Sequence, residues 1–458
     1  MKKLKITNSN KIFNKAKKLI PGGSQTFSKS PSQYVQNFSP KYLKRGKGAN
    51  VWDVDDNKFI DYVMGCHPLI LGYSDRDVNN AVKKQLDLGS TFSLMNELEV
   101  DVSKLLVDAI PSAEMVRFGK NGADATTIGV KIARALTKRD HIAFCGYHGW
   151  HDWFVSTTDL NEGVPKFNEK LAHKFVYNDL DSLEKIFKKN KDKIAIVILE
   201  PLTVLKPKCY GSINCKNKKC NKACSNNFLT EVKKMTHKYG ALLMFDEIIS
   251  GFRFSFGGAQ ELLNVTPDLS AFAKAMSNGV PISAIVGKKE YMECLNKVFF
   301  SFTYGGDCIG LSAAKACIPK IKEKNVISHL DKMGTYLKNE INSFAKDLNI
   351  DNFIECIGYP CRTIIRFNGN GKFDELILKS YFQQELLKRG VLWAAYHAIS
   401  WSHKKKHINH TINAFKETME LFSYAIKKNI KIEILLEGPP VEPVFRKVAD
   451  FNSFTKND

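Results

Sequence analysis

A chain of 458 residues with 44% hydrophobic content can bury a large core and is long enough to divide it between two lobes. Its formal net charge of +21 comes from scattered lysines with no aromatic-basic recognition motif beside them, which argues against a nucleic-acid partner. No apolar run reaches the ~18 residues that span a bilayer, and the basic start Met1-Lys-Lys-Leu-Lys has no apolar stretch or cleavage site behind it, so a cytoplasmic protein with no membrane partner is expected.

Residues 1–60 read as an N-terminal arm and the start of a small lobe. A basic amphipathic helix leads into Pro21-Gly22-Gly23, and then Asn50-Val-Trp-Asp-Val and Lys58-Phe-Ile-Asp-Tyr-Val flank the turn residues Asp55-Asp56-Asn57 as a hairpin. Over 61–320, short β-rich runs alternate with helical periodicity: Ile142–Cys145, Ile194–Leu199, Ala241–Phe245 and Ala284–Val286 are separated by helices such as Ala125–Lys138 and Leu229–Tyr239. That alternation predicts an α/β domain with a mostly parallel sheet, which places a ligand at the carboxyl ends of its strands. Glu200 and Asp246 both stand at such ends. Residues 321–458 read as a C-terminal small domain of helices around a short strand near Thr363–Phe367.

Within the large domain, Phe118-Gly-Lys-Asn121-Gly122-Ala123-Asp-Ala precedes a helical run, so small residues leave backbone N–H groups free at a helix start, a geometry that binds phosphate. Lys274 is a lone lysine in an apolar, small-residue stretch that ends in Gly279-Val-Pro281. A desolvated amine in such a setting loses its proton readily and condenses with an aldehyde near neutral pH. Asp246, upstream after the Ala241–Phe245 run, supplies the carboxylate that pyridoxal-phosphate chemistry needs to keep a ring nitrogen protonated.

The run Phe245-Asp-Glu-Ile-Ile-Ser-Gly-Phe-Arg253, followed by Val265-Thr-Pro-Asp-Leu269 and Lys274, resembles class III pyridoxal-phosphate aminotransferases, specifically the glutamate-1-semialdehyde 2,1-aminomutase branch, from about Leu19 to about Phe422. The resemblance implies a fold-type I α/β transferase: a large domain with a mostly parallel seven-stranded sheet, and a smaller α+β lobe drawn from both termini. It assigns the Schiff base to Lys274, the ring-nitrogen partner to Asp246, and the phosphate to Gly122 and Ala123, with Asn121 in place of the family's serine. Tyr147-His148-Gly149 matches the family's stacking motif, and Glu200-Pro201 matches a glutamate near the lysine and the cofactor's phenolic oxygen. Ser301-Phe-Thr303-Tyr-Gly-Gly-Asp307-Cys308 resembles a segment whose threonine reaches the phosphate held by a neighbouring subunit, which implies a homodimer; Asp307-Cys308 stands where the family has Asn-Pro.

Two regions depart from that branch. Thr26 and Lys29 occupy the stretch where the family places a serine and an arginine against the substrate carboxylate, and a lysine lacks arginine's planar two-pronged fork. The aromatic stretch Val391–His403, with Trp393 and His397, predicts a compact aromatic pocket for a phosphorylated or sugar-like carbonyl substrate as readily as for an amino acid. Within the Cys-rich insertion at 205–227, Cys209, Cys215, Cys220 and Cys224 fit four thiolates on one zinc, an iron–sulfur cluster, or four unligated thiols. The other seven cysteines read as buried thiols. The expected function is an aminotransferase with a small-molecule amino donor and carbonyl acceptor. Alternatives are an intramolecular aminomutase and a catalytically idle scaffold, against which the Lys274/Asp246 pair counts.

Overall fold

The computed structural model describes residues 4–202, 204–210 and 226–443. The described residues of Met1–Asp75 and Ser328–Val444 form one compact unit, and Arg76–Ile327 belongs to a second. The strands in chain order are β1 (Leu43–Lys47), β2 (Asn50–Asp53), β3 (Lys58–Asp61), β4 (Met115–Gly119), β5 (His141–Cys145), β6 (Ala172–Lys174), β7 (Ile194–Leu199), β8 (Leu242–Asp246), β9 (Leu269–Phe272), β10 (Ser283–Gly287), β11 (Ile354–Tyr359), β12 (Arg362–Phe367), β13 (Val391–Leu392) and β14 (Tyr396–Ala398).

The second unit is built on a seven-stranded sheet in the order β4-β10-β9-β8-β7-β5-β6. Strands β9, β8, β7, β5 and β6 run parallel, and β10 is antiparallel to both of its neighbours. The run Ile-Ala-Ile-Val-Ile-Leu of β7 has no polar position and is buried throughout, as a strand covered on both faces must be. Ala125, Ile128, Val130, Ile132 and Ala133 of the Gly122–Thr137 helix share one core cluster with Ile142, Phe144, Ile196, Ile198 and Met244 of the sheet. Each fully buried aliphatic side chain of this kind contributes about 1.5–3 kcal/mol. The helix lies close because Gly129 has the Met244 sulfur where a Cβ would stand.

The first unit carries two sheets, β1-β2-β3-β13 and β11-β12-β14. The expected hairpin is β2–β3, its turn held by the Asp53 carboxylate, which accepts from the backbone N–H groups of Asp55 (2.9 Å) and Asn57 (2.8 Å). Strand β13 pairs in parallel with β3, Val391 opposite Ile60, and this joins the C-terminal part of the chain to the N-terminal part. Further bonds from Ala398 N–H to the Tyr62 carbonyl and from Trp401 N–H to the Ile70 carbonyl hold the segment after β3 in the same unit. For that reason the boundary falls at 75/76, where 60/61 was expected. Among the described residues no helix is long and apolar enough to cross a membrane.

Candidate active site

The register of the second sheet brings four strand ends to one edge. Cys145, the last residue of β5, lies opposite Leu199 at the end of β7, Leu199 lies opposite Phe245, and Asp246 at the end of β8 lies opposite Ala271 of β9. The residues that follow these ends are Tyr147 and His148 after β5, Glu200 after β7 and Lys274 after β9. Gly119 closes β4 at the same edge, opposite Ser283 of β10, and the Gly122–Thr137 helix begins three residues later.

Asp246 is 3% exposed. Its Oδ2 lies 2.8 Å from Nδ1 of His148, and its Oδ1 accepts from the Ile248 N–H at 3.1 Å. A buried carboxylate is tolerated only with such partners. His148 is fixed in turn: its ring stacks on Trp153 (6.1 Å, 17°) and meets Phe144 and Phe154 edge-on, and Thr126 donates to its carbonyl at 2.8 Å. With Nδ1 facing Asp246, the buried Nε2 has no hydrogen-bond partner among the described residues.

Lys274 opens a 3-10 turn, Lys274–Ser277, two residues after β9 ends. It is partly buried and holds φ +45°, a left-handed conformation that costs a non-glycine residue on the order of 1–3 kcal/mol. Glu200 Oε2 accepts from the Tyr147 N–H at 3.3 Å. Between them Gly146 has φ +115°, and a Cβ there would stand 2.8 Å from Glu200 Oε2, so no other residue lets the chain pass the carboxylate this closely. Burial, and secondly the Glu200 carboxylate, push the Cys145 thiol up to about 12. The Tyr147 ring is partly exposed and rests edge-on against Phe154 (5.4 Å, 87°).

At the helix start, the Asp124 carboxylate accepts from the N–H groups of Lys120 (2.9 Å) and Asn121 (2.7 Å), and Ala123 is buried against Gly149, whose Cβ position lies 2.7 Å from the Ala123 Cβ. Asp124, which the sequence reading passed over, stands three residues after Asn121, a capping spacing that was there to be found. Lys120 and Asp307 form an ion pair, also not anticipated, and Asp307 accepts from the Gly310 N–H at 2.9 Å as the cap of the Cys308–Glu323 helix. Exchanging the family's asparagine for Asp307 therefore leaves a firmly anchored turn. Thr303, in the loop before it, is exposed, and its hydroxyl makes no hydrogen bond among the described residues.

The first unit holds the residues expected at the substrate. Thr26 and Lys29 are exposed, at the edge of a 3-10 turn over Phe27–Lys29. Trp393 and His397 must be corrected: both are 0% exposed and belong to the core, His397 packing against Tyr62, Trp393 and Phe415 and bonding the Thr363 hydroxyl at 2.9 Å. The aromatic stretch fills the interior of this unit and presents neither ring to a ligand. Cys209 is exposed, and Cys215, Cys220 and Cys224 lie outside the described residues; no group of His, Cys, Asp and Glu suited to a metal occurs among the described ones. Of the seven dispersed cysteines, Cys145, Cys308, Cys317, Cys356 and Cys361 are buried, while Cys66 and Cys294 are partly exposed.

A doubly wound sheet with a lysine, two carboxylates and a glycine-flanked helix start at the carboxyl edge of its strands defines a fold-type I pyridoxal-phosphate transferase. Residues 32–419 match the family model for aminotransferase class-III, and the chain belongs to that family. It is thus an enzyme, with pyridoxal phosphate as cofactor. It is 35% identical to a 3-aminobutyryl-CoA aminotransferase of Cloacimonas acidaminovorans over 91% of this chain and 98% of that one. It is 34% identical to a glutamate-1-semialdehyde 2,1-aminomutase of Methanosphaera stadtmanae, over 90% and 98% respectively. Among solved structures, an omega-transaminase from Sphaerobacter thermophilus superimposes with a TM-score of 0.79 at 25% identity, covering 90% of this chain and 97% of that one.

Proposed function

We propose that the protein transfers an amino group from a small amine donor to a separate carbonyl acceptor, with Lys274 as the residue that holds the cofactor's aldehyde and moves the substrate's α-proton. The observation that carries this reading is the convergence of Lys274, Asp246 and Glu200 on one edge of the sheet. When bound, pyridoxal phosphate supplies an electron sink for the carbon that loses its proton. The residues fit that group: Asp246, oriented by His148, would face the ring nitrogen; Tyr147 would cover the ring; Gly122, Ala123 and Asn121 would offer N–H groups and an amide to the phosphate; Glu200 would orient the lysine. The unpartnered Nε2 of His148 matches a side chain held for its neighbour Asp246.

Lys274→Ala should abolish turnover, and borohydride should no longer fix the cofactor to the chain; fixation persisting in the variant would place the reactive amine elsewhere. Several relatives are named glutamate-1-semialdehyde aminomutases, which favours a second reading in which one molecule is both donor and acceptor. Steady-state kinetics separate the two. Ping-pong behaviour with two substrates supports transfer, and isomerisation of glutamate-1-semialdehyde without a second substrate supports the aminomutase.

The exposed Thr303 is assigned to a phosphate held by a partner subunit in a cytoplasmic homodimer, and Thr26 and Lys29 to a substrate that is phosphorylated, sugar-like or an amino acid. A monomeric mass with full cofactor content would remove the role of Thr303. Cys209, Cys215, Cys220 and Cys224 are assigned one zinc ion, to be checked by elemental analysis; metal-free protein as isolated would refute it.

A further inference from the structure

Beside the glycine-flanked helix start, a set of polar side chains is bonded to one another and has no part in the roles assigned so far. Thr127 stands three residues after Asp124 on the same face of the Gly122–Thr137 helix. Its hydroxyl accepts from the Trp153 indole N–H at 2.9 Å and lies 2.7 Å from Nδ1 of His151. An indole N–H only donates, so the single hydroxyl proton of Thr127 is available to Nδ1. The imidazole then carries its own proton on Nε2, which lies 4.0 Å from Asp124 Oδ1. At that distance the contact is electrostatic rather than a hydrogen bond. The other oxygen of Asp124, Oδ2, is the one that accepts from the Lys120 and Asn121 N–H groups.

These contacts connect the loop after β5 to the turn before the helix. That loop crosses the helix start at three places: Gly149 (φ +111°) lies against Ala123, Thr126 donates to the His148 carbonyl at 2.8 Å, and Thr127 meets His151. The third crossing reaches a carboxylate that holds the N–H groups ahead of the helix. A carboxylate at a helix start is itself an anion where a phosphate would bind, and the two repel unless the carboxylate is turned aside. Asp124 is turned aside by the Lys120 and Asn121 N–H groups on one oxygen and by His151 on the other. Thr127, His151 and Asp124 are partly buried and Trp153 is 6% exposed, so little water competes for these contacts.

We infer that His151, aimed by Thr127, is a positioning residue for the cofactor's phosphate: it holds Asp124 to the turn at Lys120 and Asn121, which leaves the Gly122 and Ala123 N–H groups to the anion. This role rests on the assignment of the phosphate to Gly122 and Ala123 and deepens it by naming what shapes that turn. It also braces the loop that carries Tyr147 and His148 against the turn that faces the phosphate, so the ring and the phosphate are held by one connected structure.

The test strips the full-length enzyme of cofactor, restores it with pyridoxal phosphate or with pyridoxal, which lacks the phosphate, and measures each affinity by absorbance of the bound aldehyde. Release of pyridoxal phosphate from holoenzyme is a second readout. Thr127→Val keeps the shape but not the hydroxyl, and His151→Phe keeps a ring beside Trp150 but no ring nitrogen. Each should weaken pyridoxal phosphate about three- to tenfold, the effect of one directed hydrogen bond, and leave pyridoxal unchanged. The double variant should be no weaker than either single one, because both act through the same contact. Thr127→Ser, which restores the hydroxyl, should bind pyridoxal phosphate as wild type does. Thr127→Val also strips the Trp153 N–H of its acceptor; if that variant does not fold, His151→Phe, which leaves the indole bond intact, decides by itself. Equal weakening of both aldehydes, or additive effects in the double variant, would overturn the role, because a general loosening of the fold behaves in that way. Variants that keep the wild-type preference for pyridoxal phosphate overturn it too, with the phosphate assignment left standing. Wild type that binds the two aldehydes equally would instead remove the phosphate assignment itself, and the role of His151 with it.

Discussion

Asp246 and His148 show how single residues make the site chemically specific. At 3% exposure the Asp246 carboxylate is cut off from water, and a ring nitrogen at 2.8 Å and a backbone N–H at 3.1 Å occupy its oxygens instead. Asp246→Asn keeps the shape and both neighbours but cannot be an anion. Turnover should fall by about 100-fold or more while the cofactor is still bound, a loss in the range seen when one preorganised electrostatic partner is removed. Near-normal kcat with normal cofactor content would mean that another carboxylate serves the ring nitrogen. Asp246 and Lys274 were legible in the sequence because each follows an apolar strand-like run. His148 was legible only as a motif member: that its imidazole reaches back to a residue 98 positions away is a fact of packing.

At the scale of elements, strand ends and helix starts carry the site, and their caps decide how firmly it is held. The Cys308–Glu323 helix starts at Asp307, whose carboxylate caps Gly310 N–H and pairs with Lys120, next to the glycine-flanked start of the Gly122–Thr137 helix. Asp307→Ala removes the cap and leaves a partly buried lysine without its anion. It should cost about 1–2 kcal/mol in urea unfolding. It should also weaken cofactor retention, because Lys120 immediately precedes Asn121. Asp307→Asn, which can still cap, should recover most of the stability. Equal stability of the alanine variant and wild type would show that the turn is held by other contacts.

For the whole molecule, histidines kept from water set a response to acid. In the first unit His397 and His403 lie in the core, and desolvation pushes both down to about 3. A histidine that stays neutral when folded but titrates near 6.5 when unfolded favours the unfolded chain as pH falls. Its contribution is intact above about pH 6.5 and is lost progressively from there toward pH 3, at a limiting rate of about 1.4 kcal/mol per pH unit for each group. Thermal midpoints should therefore fall on acidification below pH 6.5. His397→Phe, in a site lined by Tyr62, Trp393 and Phe415, should reduce the steepness of that fall whatever it does to stability at neutral pH. An unchanged slope would assign the acid sensitivity to other groups.

Some of this protein is written in local pattern, and some exists only once the chain is folded. The all-apolar run of β7, the alternation of strands with helices and the order of motifs from Asn121 to Lys274 depend on residues near one another in the chain, so the α/β class and the family could be read directly. Where the N-terminal lobe ends could not be read, because it depends on β3 pairing with β13 some 330 residues later. Nor could the interior position of Trp393 and His397: an aromatic stretch reads the same whether it lines a pocket or fills a core, and only the neighbours supplied by β3, β12 and the Lys405–Lys427 helix decide it.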